Sequence, residues 1–124
     1  MRKILILLTL LLPLFVNAQN WFTADATSIA TSEGASEWVE CHIRVLADND
    51  GNVKFFAPED TFVYRRIGED YTKDENEEGM SMAWKCVDDE GQRCIISFNS
   101  YEGLLWLMIE YNNLTIFYHI IPDD

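Results

Sequence analysis

Basic residues are scarce in this chain: 9 Lys and Arg stand against 21 Asp and Glu, for a net charge of −12. Nucleic acid and anionic membrane surfaces are both held by clustered Lys and Arg, so neither is an expected partner. Histidine is nearly missing, with only His42 and His119. No Gly-x-Ser-x-Gly is present, and no nucleophile stands in a recognisable frame with a base. The expectation is a non-enzymatic chain with no catalytic, cofactor or metal site. Asp48-Asn49-Asp50-Gly51 resembles part of a calcium loop. Aligning Gly51 to that loop's glycine, however, puts Leu46 at the first ligand position and Ala57 at the last, where oxygen ligands are required. Cysteine is limited to Cys41, Cys86 and Cys94, and the seven-residue gap between the last two is not a zinc spacing.

Long apolar runs are also lacking after the first one. Arg2 and Lys3 precede Ile4–Val16, and Val16-Asn17-Ala18 then offers small or short residues before Gln19-Asn20. This is the layout of a cleavable signal peptide over residues 1–18. The apolar run has 13 residues, fewer than the roughly 18 that span a bilayer. Cleavage removes Arg2 and Lys3 and no acidic residue, so the net charge moves from −12 to −14. The expected location is secreted or periplasmic, with no membrane attachment after cleavage. Residues 19–124 are enough for one domain.

What is abundant is β pattern. Val39–Val45 alternates apolar and polar residues, the period of a half-buried strand. Asp48–Gly51 follows, and Asp88-Asp89-Glu90-Gly91 repeats the device. In each, Asp opens a type I turn and Gly closes it in the left-handed region. Pairing Asp48 with Asn52 sets Val45 opposite Phe55. Pairing Asp88 with Gln92 sets Trp84 opposite Ile96 and Cys86 opposite Cys94. Asn112-Asn113 turns a third hairpin, pairing Ile109 with Ile116 and Trp106 with His119. Trp21–Ser36 reads as an edge strand and a loop. The acidic stretch 68–79 reads as an exposed loop, too polar for a core. The expected fold is all-β: an antiparallel meander of seven to eight strands forming a small barrel or sandwich.

Cys86 and Cys94 flank a tight turn on the core face, and a disulfide between them is expected, with Cys41 buried and free. The register makes them a hydrogen-bonded pair, whose side chains stand further apart than in the alternate kind, so free thiols or a bond to Cys41 are the alternatives. The final hairpin is apolar on both faces. One face, from Leu105, Leu107 and Ile109 to Ile116 and Tyr118, is core. The other shows Trp106 and Met108 against Phe117 and His119. A solvated face alternates to polar residues, so something must cover this one. The cover is either Trp21 and Phe22 folding across, a second sheet, or another chain. Trp106, Met108, Phe117 and His119 are the interface candidates.

Cys86–Cys94, with the Asp-Asp-Glu-Gly turn inside it, and Ile109-Glu110-Tyr111-Asn112-Asn113 followed by Tyr118 resemble a group of small signal-bearing proteins of unknown function from Bacteroidetes. That resemblance implies a periplasmic or secreted location and no activity. The expected function is a protein-interaction or oligomerisation module, its partner another protein or a second copy. The alternative is a small barrel that binds an apolar or aromatic small ligand.

Overall fold

The computed structural model describes residues 20–123, so the expected signal peptide lies outside the described residues. Nine strands follow one another: β1 (Asn20–Thr31), β2 (Gly34–Ala35), β3 (Val39–Ala47), β4 (Val53–Phe56), β5 (Thr61–Glu75), β6 (Gly79–Val87), β7 (Arg93–Tyr101), β8 (Leu104–Glu110) and β9 (Leu114–Pro122). Each strand from β3 onward pairs antiparallel with the next, and β1 pairs with both β3 and β9. Eight strands therefore close into an up-and-down barrel, and β2 is a two-residue arm on the far end of β1. Closure removes the sheet edges that an open meander exposes.

The hairpins take the expected registers. Val45 faces Phe55, Trp84 faces Ile96, Cys86 faces Cys94, and Trp106 faces His119. In both Asp-x-x-Gly turns the opening carboxylate accepts from backbone N–H groups across the turn: Asp48 from Asp50 and Asn52, Asp88 from Glu90 and Gln92. Gly51 and Gly91 have φ of 88° and 82°, the region an L side chain avoids. At Gly51 a Cβ would also sit 2.5 Å from Cδ of Arg66. The turn is drawn down onto the barrel, where the Gly51 carbonyl accepts from Trp84 Nε1–H at 2.8 Å.

The lumen is filled by side chains. Phe22, Phe55, Trp84, Phe98, Leu107 and Ile109 are each no more than 2% exposed. Trp84 stacks on Phe98 with ring centroids 5.8 Å apart, and Phe55 lies 5.1 Å from Tyr118. An eight-stranded barrel is just wide enough for such filling.

Three expectations are corrected. The N-terminal segment is not an edge: β1 is laddered on both sides and closes the barrel. Phe22 points into the lumen, and Trp21 packs outside against Phe56 at 5.6 Å with the Arg44 guanidinium 4.4 Å from its ring. Neither covers Trp106. The acidic stretch is strand through Glu75, pairing Tyr71–Glu75 with Met80–Trp84, after an irregularity between Arg66 and Tyr71. It is exposed, as its charge requires. β4 pairs only with Thr61–Tyr64, so the later part of β5 is hydrogen-bonded on its β6 side only, and acidic side chains suit a strand with one open edge.

The third correction concerns the cysteines. All three are free, so the expected Cys86–Cys94 bridge is not formed although the two are direct cross-strand partners. The Asp88 N–H donates to the Gln92 carbonyl. By strand alternation that makes Cys86 and Cys94 the wider, hydrogen-bonded kind of pair. Both thiols pack as small core residues. Burial, then the neighbouring Cys94, pushes the Cys86 thiol up to about 12; burial, then Asp88, pushes Cys94 up to about 11. Since the thiolate is the nucleophile, native protein at neutral pH should leave Cys86 and Cys94 unmodified by a maleimide, and urea should expose all three cysteines. Intact-mass analysis reads this. Rapid native modification of either buried thiol, or a peptide map linking them, contradicts it.

Candidate functional site

A strongly apolar concavity lies on the outer surface of the barrel. It has a volume of about 560 Å³ and is lined by Ala26 of β1, Trp38 just before β3, Leu104 and Trp106 of β8, and Phe117 and His119 of β9. Ladder geometry assembles it. Trp106 faces His119, and His119 faces Ala26, so these side chains lie in one row across three strands on the outer face. Phe117 follows two residues along the same face, since a strand alternates with period two.

Trp38 reaches the groove because the β1–β3 connection is tied down. The Ser28 hydroxyl donates to the Ser36 carbonyl at 2.8 Å, the Ile29 N–H donates to Ser36 Oγ at 2.9 Å, and the Ser36 N–H returns to the Ile29 carbonyl. Two residues on, the Trp38 indole meets Phe117 edge-on, with centroids 6.5 Å apart. Trp38 is 55% and Leu104 57% exposed. Large apolar side chains this open, grouped at one concavity, differ from the single surface apolars that every protein carries.

One polar feature interrupts the apolar wall. β1 is irregular between Ala24 and Ala26 against both of its neighbours. On the β9 side Asp25 is the extra residue, so Asp25 and Ala26 together oppose His119. Such a bulge re-aims a side chain. Here the Asp25 carboxylate lies 2.6 Å from His119 Nδ1. Acidic residues adjoin the lining residues along the chain or across the ladder: Asp25 precedes Ala26, Glu37 precedes Trp38, Glu40 is laddered to Ala26, and Glu102 stands two residues before Leu104.

Of the four interface candidates, Trp106, Phe117 and His119 line the groove together. Met108 is on the same outer face, half-buried and laddered to Phe117, but does not line it. Sequence reasoning missed Trp38, Ala26 and Asp25. Trp38 stands just ahead of the alternating run that marks β3, and a large aromatic at a strand entrance was its only signal. A second concavity of about 490 Å³, at Lys85, Arg93, Ile95 and Glu110 among others, mixes charges of both signs and offers no comparable apolar wall. Among the described residues no group of three or more His, Cys, Asp or Glu is placed to hold a metal ion. No known protein family, curated protein or solved structure matches the chain.

Proposed function

We propose that this is an exported, non-enzymatic interaction module that holds a partner protein through the outer groove between β1, β8 and β9. The observation that carries this reading is the aromatic-walled concavity on the outside of a barrel whose lumen is already filled. Aromatic pockets of this kind accept one anchor side chain and contribute most of an interface's binding energy.

Charge selects the kind of partner. Asp25, Glu37, Glu40 and Glu102 adjoin the groove's lining residues along the chain or across the ladder, on a chain of net charge −12. A second copy meeting this face about a two-fold axis would bring the same acidic rim against itself. The fitting occupant is a different protein that sets an apolar side chain among Lys and Arg. Opposite charges at a rim speed encounter and are screened by salt.

Peptides test this. A short peptide with one central aromatic residue flanked by lysines should bind the processed protein at least about tenfold more tightly at low salt than its glutamate-flanked counterpart. The difference should shrink as salt is added. Equal binding of the two peptides, or none of either, overturns the reading. Light scattering on concentrated protein should show a monomer. A dimer dispersed by changing Trp106 would assign the groove to a second copy instead.

A further inference from the structure

We infer that the Asp25–His119 pair makes the groove selective for an aromatic anchor bearing its own N–H or O–H donor, a tyrosine or tryptophan side chain rather than a phenylalanine or leucine. This rests on the groove being the binding site. The argument begins with the bulge. A carboxylate only accepts hydrogen bonds, so at 2.6 Å from Asp25 the His119 Nδ1 carries the proton. In the neutral ring that leaves Nε2 as a bare acceptor. The ring forms part of the groove wall, and its other lining residues, Ala26, Trp38, Leu104, Trp106 and Phe117, contribute no side-chain acceptor.

Energy then favours one class of occupant. An apolar group filling the groove strips water from Nε2 and returns nothing, and an unpaired polar atom is costly. An aromatic ring with a donor at its edge fills the same volume and satisfies that nitrogen. Sites built to bond a hydroxyl or N–H reject the analogue lacking it. Asp25 fixes the tautomer and the ring plane, as second partners of histidine do elsewhere. Its negative charge also disfavours an anionic occupant.

The test uses side-chain analogues and chemical-shift titration of the indole and backbone resonances of Trp38, Trp106 and Phe117. The probes are 4-methylphenol and its methyl ether, 4-methylanisole, which keeps the ring and loses the donor. The wild-type protein should favour the phenol by about fivefold, the value of one hydrogen bond. In His119→Phe the preference for the phenol over the ether should disappear, whatever the variant's absolute affinities. Long-range ¹H–¹⁵N spectra of the unaltered protein should show His119 protonated at Nδ1. Equal affinity of wild type for the two probes, a preference that survives in His119→Phe, or a ring protonated at Nε2 overturns the inference and leaves the groove as an unselective apolar site. If neither probe moves those resonances, the groove reading falls with it.

Discussion

Trp84→Ala should lower the unfolding free energy by about 3–5 kcal/mol, the usual cost of truncating a buried aromatic to alanine. Trp84 is 2% exposed, inside the barrel on β6. Its ring stacks on Phe98, and its Nε1–H donates to the Gly51 carbonyl at 2.8 Å. The loss therefore has two parts. The cavity removes contacts from the centre of the lumen. The carbonyl at the tip of the β3–β4 turn loses its partner, and the turn loses one of its ties to the barrel. Trp84→Phe separates these parts: it keeps most of the ring and should cost about 1–3 kcal/mol, the penalty of one unsatisfied buried group. Domains of this size are stable by about 5–15 kcal/mol in all, so the alanine variant should unfold at much lower urea. Urea titration followed by circular dichroism measures both variants. A loss below about 1 kcal/mol for alanine would mean that the ring is not packed as described.

Trp106→Ser should have the opposite profile. Trp106 is half-buried on the outer face, laddered to Asn99 on one side and His119 on the other. Its indole forms a wall of the groove and fills none of the lumen. Removing it should weaken binding of the lysine-flanked aromatic peptide by about 2–4 kcal/mol, roughly 30- to 1,000-fold, as loss of a central aromatic anchor does. The urea midpoint should move little, because a surface-facing substitution that opens no internal cavity usually costs well under the value of a core one. Calorimetric titration and urea unfolding on the same preparation read both effects. A variant that unfolds with Trp84→Ala-like losses would place Trp106 in the core. A folded variant with unchanged peptide affinity would detach the groove from binding.

The two tryptophans show how much was legible beforehand. Both lie in hairpins whose registers are set by turn chemistry and period-two alternation, which act within about ten residues of sequence. Asp48 with Gly51, Asp88 with Gly91, and Asn112-Asn113 determined which residues face one another, and so determined that Trp84 points inward, that Trp106 shares a face with His119, and that Cys86 meets Cys94. The all-β class and the apolar second face of the last hairpin were legible for the same reason. The acidic stretch was misread because composition reports exposure, and an exposed strand with one open edge has the composition of a loop.

Only the tertiary structure decided the rest. β1 closes the barrel by pairing Phe22–Thr31 with Leu114–Pro122. No local pattern specifies a ladder between segments so far apart; it forms because closure satisfies two rows of backbone groups at once. That single long-range pairing takes Phe22 into the lumen and carries Asp25 to His119. It also sets β1 beside β9, where Trp38 completes the groove with Phe117. Side-chain alternation along the chain therefore determined what each residue would face within its hairpin, and the meeting of β1 with β9 decided which of those faces became a site.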